Sequence, residues 1–493
     1  MLRQLFTATA AVALLAGCSG GDKPESKAED GAQTPAANTP TTPALTAYDP
    51  PKAFMAVAAV PQGRDEQNPT YTPVVGMAGT TAVINNLKGL YGQGVNAQVT
   101  PWQVPAADPA NAANVETFDA TKPMTVQVAG KDTVAVAYYQ RVKGTGTNKA
   151  KVQVAFRWVD PADGKIVSQA EIDVTPVIGA EQLSAGLSAN FTTETFDAAT
   201  GQLAVGLAPA SLIGAKAGIF SVFADPTTKK TSALPFVEPA GVSNGIIVGP
   251  KGPDRAKRSL AIADALTGAT KKTGLTGLEG LIAAGAGPKH VYLYGQKYFK
   301  AAPNQISGHY EAAIYAIDPA TGAIVETKSA VKGTNYLTDY KCWGDGATSV
   351  VCTTTERGEA EIIGFDDQTG KKTWGYTDAA GGRIVPKITA AFHGIVYAEA
   401  ETGPILMDAI TGQDVPTPTP TPTDSASPVS PGNSASPTDS TSPTSTESPD
   451  ESALDTKPQS PTAVSTYGGA YLKKVQSFSS PTSGVLQVLK AVG

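Results

Sequence analysis

The sequence predicts an all-β protein: a β-propeller of seven or eight four-stranded blades, with a disordered N-terminal tether and a disordered Pro/Ser/Thr-rich insertion ahead of the closing strands. Three observations predict it. One turn phrase recurs from about residue 70 to 412. The segments beside it are short runs of alternating apolar residues, the mark of strands. No segment carries a strong helical period.

The phrase is an apolar strand end, then Asp, two residues, Thr or Asp, and Gly. It stands at Asp160, Asp197, Asp264, Asp318, Asp366 and Asp408, with weaker copies at Asp119 and Asp225. The physics is that of a hairpin turn. The carboxylate accepts from backbone N–H groups two or so residues on, and the closing Gly takes positive φ without steric cost. The successive Asp positions are 41, 37, 28, 39, 54, 48 and 42 residues apart. A spacing near 40 fits four short strands with their turns, which is one propeller blade.

One unit reads almost whole. Its strands start at Tyr340, Ser349, Glu361 and Lys372, with the Asp366 turn between the last two. The next unit repeats the order from Ile388. The third strands are mostly apolar, as expected of strands sandwiched between neighbouring blades.

The nine residues from Asp366 to Trp374, DDQTGKKTW, resemble the Asp-x-x-Thr-Gly-Lys-x-x-Trp phrase of PQQ-like (quinoprotein-like) β-propeller repeats. The resemblance implies that Trp374 docks against the neighbouring blade. The other units carry Val167, Ala204, Lys272, Glu326 and Val415 near that position, so their docking is expected to be looser or to use other apolar groups. Quinoprotein dehydrogenases with this fold use adjacent cysteines and a Trp-rich calcium centre. Adjacent cysteines do not occur here and Trp numbers four, so no cofactor is expected.

Residues 1–18, MLRQLFTATAAVALLAGC, carry a basic residue at Arg3 and a short apolar stretch from Leu5 to Leu15, and end in Leu15-Ala16-Gly17-Cys18. This resembles the lipobox of bacterial lipoproteins, and the whole resembles an actinobacterial surface lipoprotein. The resemblance implies that residues 1–17 are a removed signal, that Cys18 carries the lipid, and that the protein sits on the outer face of the cell membrane. Residues 18–50 hold too little apolar surface to fold and read as a tether. Its reach is on the order of 30 Å.

The propeller is assigned to 51–414 and 464–493. Between them, 415–463 is rich in Pro, Ser and Thr and reads as an extended insertion within the last blade. It resembles O-glycosylated stalk sequences. The final strands are expected to pair with N-terminal ones near 74–83 and so close the ring.

Charge and chemistry narrow the function. Lys and Arg total 38 against 44 Asp and Glu, for a net charge of −6, which argues against a nucleic-acid binder. No second apolar run approaches the length of a membrane span. With Cys18 lipidated, Cys342 and Cys352 fall on paired strands in an oxidising compartment and are expected to form a disulfide. His290, His309 and His393 lie in different units with no ligand spacing, so no metal site is expected. No nucleophile elbow or phosphate loop stands in context. The expectation is a monomeric, non-catalytic binding or scaffolding module for a protein or glycan. The alternative is a hydrolase or lyase with its site in the propeller channel.

Overall fold

The computed structural model describes residues 44–62, 71–96, 99–178, 189–209, 218–253, 257–271, 279–299, 309–331, 340–354, 360–380, 382–417, 459–477 and 480–493. Eight antiparallel sheets follow one another along the chain, forming an eight-bladed propeller of four-stranded blades. The inner strands of blades 1 to 8 are, in order, Val74–Ala78, Val115–Ala120 with Met124–Val128, Ala189–Phe196, Gly241–Ser243, Glu279–Ala286, Tyr340–Gly344, Lys387–Phe392 and Ala463–Ser465. Inner strands of several neighbouring blades pack side by side around the channel.

Eight hydrophobic clusters are found among the described residues, each between two adjacent blades. The largest joins blades 2 and 3 around Phe156 and Trp158. Blades therefore hold one another through both faces, and strands in mid-blade are buried on both sides: Phe220–Ala224 is buried at every position. Outer strands alternate instead, as in Ile166–Asp173 from Val167 onward.

Ring closure differs in detail from the sequence reading. The C-terminal strand Ser480–Ala491 pairs along Phe54–Gln62, not with strands near 74–83. Val74–Ala78 instead opens blade 1 and packs against blade 8. Phe54 also lies 6.0 Å from the Tyr397 ring of blade 7. Residues 44–50, read above as tether, run against the ring: Leu45 joins the cluster between blades 1 and 8, and Tyr48 N–H donates to Thr466 O at 2.8 Å. The Pro/Ser/Thr stretch follows Asp414–Val415, the outer strand of blade 7, and precedes the inner strand of blade 8. It thus joins two blades rather than interrupting one. Its residues 418–458, like Cys18, lie outside the described residues.

The Asp phrase mostly turns the third hairpin of a blade. At Asp160, Asp264, Asp318, Asp366 and Asp408 the Gly N–H bonds back to the Asp carbonyl at 2.8–2.9 Å. The side-chain Oδ1 takes the N–H two residues on in each of them. Gly412, for example, sits at φ 70°. Asp225, taken as a weak copy, is a full member, with Lys229 at φ 57° in the Gly place. Asp197 makes the same turn, with Gly201 N–H on its carbonyl at 2.9 Å, but at the first hairpin of blade 3, and its Oδ2 accepts from Asn244 N–H of blade 4 at 2.8 Å. Asp119 lies within an inner strand. The short Asp197–Asp225 interval is therefore two hairpins of one blade, and the count is eight.

Cys342 and Cys352 form the disulfide, across directly paired residues of blade 6 with Cα atoms 4.0 Å apart. Replacing both by Ser is expected to lower stability by about 2–3 kcal/mol, since the bond closes a short loop. Denaturant midpoints of the two proteins measure this, and equal midpoints would show that the bond adds nothing.

Candidate binding site in the channel

Blade docking and channel chemistry use different residues. Docking runs through the carbonyl one or two residues after the turn Asp. Trp374 of blade 6 donates its indole N–H to Ala409 O of blade 7 at 2.9 Å, with Gly412 so close that a Cβ there would lie 2.5 Å from the ring. Trp102 of blade 1 does the same to Pro161 O of blade 2 at 3.0 Å. Where Trp is missing, the replacements are not apolar. Ser168 donates to Pro226 O at 2.7 Å, and Ser232 donates to Ala265 O. Lys271 reaches Ala320 O at 3.2 Å. These donors sit on the fourth strand or its start, so the position is read by any side chain that offers one N–H or O–H.

Two histidines serve the same purpose. His290, buried, donates its backbone N–H to Asp367 Oδ1 across blades 5 and 6, and Tyr292 donates its hydroxyl there at 3.0 Å. His393 contacts Asp49 through Nδ1. His309 lies in a strand of blade 5, with its side chain outside the described set. Among the described residues no group of three or more His, Cys, Asp or Glu is placed to hold a metal ion.

The channel site begins with a break in blade 2. The two pieces of its inner strand both pair with Lys131–Val142, and Thr121-Lys122-Pro123 lies between them. Pro123 has no N–H and holds the preceding residue extended. Thr121 fastens the break: its N–H donates to Ala137 O, its Oγ1 accepts from Ala137 N–H, and its carbonyl accepts from Asn85 Nδ2 at 2.8 Å. Lys122 is thereby freed from the ladder. Its N–H donates to Glu194 Oε2 of blade 3 at 2.7 Å, and its Nζ reaches Thr462 O beside blade 8 at 3.4 Å. Asp119 is held by two backbone N–H groups, Ala120 and Phe191.

Lys341 approaches from blade 6, on the far side of the ring. Its charge acts on both Lys122 and Glu194, and its Nζ lies 5.1 Å from the centre of the Trp343 ring. Lys341 and Trp343 flank Cys342, so the disulfide anchors the strand that carries them.

Lys122 is half-buried and Glu194 is exposed. The protein around them nevertheless shifts their ionisation. Removal from bulk water pushes the Glu194 carboxyl up; the Lys122 N–H and the charges of Lys122 and Lys341 oppose this, and Asp119 adds to it. The same desolvation lowers the Lys122 ammonium, Glu194 opposes, and Lys341 lowers it further. Burial also raises Asp119 against its two N–H donors.

A sign follows for pH. As pH rises from about 4, unfolded Glu loses its proton first, so folded Glu194, with its raised pKa, loses stability across the window up to that pKa. Glu194→Gln keeps the oxygen that accepts from Lys122 and removes the titration. The difference in melting temperature, variant minus parent, is expected to grow as pH rises through that window. A constant difference would show that Glu194 ionises normally.

Of the residues singled out in the sequence, only Asp119 lies in this channel group, and it was read there as a weak turn copy; Cys342 adjoins the group. One signal was present: a Lys-Pro pair in the middle of an otherwise alternating inner strand.

No family model matches the chain, and no curated protein matches it. Several solved structures are similar to it. The β-propeller domain of the Trilobed protease from Pyrococcus furiosus is 13% identical, over 61% of this chain and 82% of that one, with a TM-score of 0.32. An uncharacterized protein from Listeria monocytogenes EGD-e is 11% identical, over 78% of this chain and 100% of that one, with a TM-score of 0.35. A post-proline cleaving enzyme from Rickettsia typhi is 10% identical, over 84% and 56%, with a TM-score of 0.37.

Proposed function

We propose that this chain is a binding module held on the outer face of a bacterial membrane by a lipid on Cys18, and that it engages a protein or glycan partner through the ring. The observation that carries the binding role is the channel group: Asp119, Lys122, Glu194 and Lys341, drawn from three blades and held by backbone contacts at the break in blade 2. Charges of both signs on the inner strands suit recognition of a polar partner. The lipobox resemblance carries the location.

Three experiments test this reading, the first its anchoring and the other two its binding role. Cells fed a labelled fatty acid are expected to label the protein, and Cys18→Ser is expected to abolish the label and release the chain. Cross-linking on intact cells is expected to recover one dominant partner, and a glycan array to detect a sugar one. Neither appearing would overturn the binding role.

A second reading has its own support. Glu194 and Lys122 stand on neighbouring blades, joined by the Lys122 backbone N–H, and each is shifted toward its neutral form, as groups that exchange protons are. An extracytoplasmic hydrolase or lyase would use Glu194 and Lys122 in those roles, and its turnover would fall sharply in Glu194→Gln.

A further inference from the structure

We propose that His393 is a pH-sensitive latch: its protonated imidazole fastens the entry segment Ala44–Ala53 to the ring through Asp49, and loss of the proton loosens that segment. The latch acts on how the ring is attached rather than on what it binds.

The turn that carries His393 does not call for a histidine. His393-Gly394 closes the first hairpin of blade 7 as a two-residue turn, with φ 42° and 83°. Asn244-Gly245 makes the same turn in blade 4, at φ 47° and 76°. Ala129-Gly130 makes it in blade 2, at φ 50° and 75°. Asn-Gly is the favoured pair for such turns, and a bare methyl also serves. What an imidazole adds is a side chain that changes charge between about pH 5 and 8.

The imidazole touches two groups that prefer it charged. Its Nδ1 contacts the Asp49 carboxylate. The Phe392 ring lies against it, 3.9 Å between centroids and 13° from parallel. A hydrogen bond between two charged groups is about twice as strong as one between neutral groups, and an aromatic face attracts a cation. The neighbouring elements add carboxylates. Asp345 of blade 6 accepts His393 N–H on its carbonyl at 2.8 Å and Gly394 N–H on Oδ2 at 2.9 Å. The Asp408 turn joins Gly394 O through Ala409 N–H at 2.8 Å. Tyr397 is neutral and donates its hydroxyl to Pro51 O at 2.6 Å. Of these neighbours Lys52 alone is cationic, and its backbone N–H is what meets the ring, at Gly493 O. Protonation therefore favours the fastened state. Fastening is strongest near pH 5 and is lost as pH rises toward about 8.

The fastened stretch is short. Tyr48 N–H donates to Thr466 O at 2.8 Å just before Asp49, and past Ala53 the chain enters the blade 8 ladder at Phe54–Gln62. Freed up to that ladder, residues 44–53 supply at most about 35 Å of extended chain. On the lipid-anchored reading of Cys18, on which this consequence alone rests, the ring stands farther from the membrane at neutral pH than in acid.

The test is hydrogen–deuterium exchange of the full chain between about pH 5 and 8, read on peptides covering 44–53 and corrected for the intrinsic pH dependence of amide exchange. Protection is expected to fall about two- to fivefold across that range, the size an exposed ion pair supports. In His393→Asn, which keeps a favoured turn, and in Asp49→Asn, protection is expected to be low and level with pH. Peptides from Ser480–Ala491 are expected to stay protected throughout, which separates local loosening from unfolding. A level profile in the parent chain, or the same fall in either variant, overturns the proposal. A pH-dependent segment in a chain whose Cys18 takes no fatty-acid label would sustain the latch and remove the anchor reading. A labelled Cys18 with a level profile would do the reverse.

Discussion

Trp158→Ala is expected to lower the stability of the ring by about 4 kcal/mol, the largest single-residue effect in the molecule. The indole is fully buried in the cluster between blades 2 and 3 and lies 6.2 Å from the Phe156 ring. Truncating a buried Trp or Phe costs roughly 3–5 kcal/mol, from lost transfer energy and the cavity left behind. The indole N–H also donates to Gly201 O at 2.8 Å, so the truncation leaves a buried carbonyl without its partner. Trp158→Phe refills most of the space and keeps only the hydrogen-bond loss, about 1–2 kcal/mol. Trp374→Ala is expected to cost less than Trp158→Ala, because Trp374 is only partly buried. Denaturant midpoints of the three variants give the order, and a Trp158→Ala chain as stable as Trp158→Phe would refute the cavity argument.

A chain that starts after Gln62 is expected to lose cooperative folding and to aggregate, whereas a chain that starts at Ala44 is expected to melt with the full protein. The difference lies in one strand. Phe54–Gln62 is the outer strand of blade 8 and pairs along Ser480–Ala491. Without it, the longest C-terminal strand becomes an open edge that offers unpaired N–H and C=O groups to other chains. The shorter truncation keeps every described contact, since Ala44–Gly493 forms one compact unit. Size-exclusion profiles and thermal melts separate the outcomes. A monomeric, cooperatively melting chain without Phe54–Gln62 would mean that the ring tolerates an open blade.

Much of the fold was legible because its signal is local. Each Asp turn contains its own physics, a carboxylate, a free N–H and a Gly, so Asp264, Asp318 and Asp408 announced themselves. The same locality misled at Asp197, because a first hairpin and a third hairpin ask the same chemistry of four residues. Trp102 went unread for the converse reason. The turn it docks on belongs to blade 2, and nothing adjacent to Trp102 marks it. Ser168 and Ser232 are harder still, since a hydroxyl replaces an indole at a carbonyl that only the assembled ring supplies. The channel group is the extreme case. Lys122 and Glu194 are 72 residues apart, and Lys341 arrives from the other side of the ring. Their common location is a property of ring closure, which no short window of sequence contains.

The closure also sets how the molecule carries load. Just ahead of Phe54–Gln62, the chain is stapled to blades 7 and 8: Tyr48 to Thr466, Asp49 to His393, Tyr397 Oη to Pro51 O at 2.6 Å, and Lys52 to Gly493. A pull applied at Ala44 reaches these staples before it reaches the closing strand. The staples spread the force over two blades, so the ladder that seals the ring is shielded until they give way. Tension on the N-terminal side is therefore met by a sacrificial clasp, and the channel keeps its shape while the clasp holds.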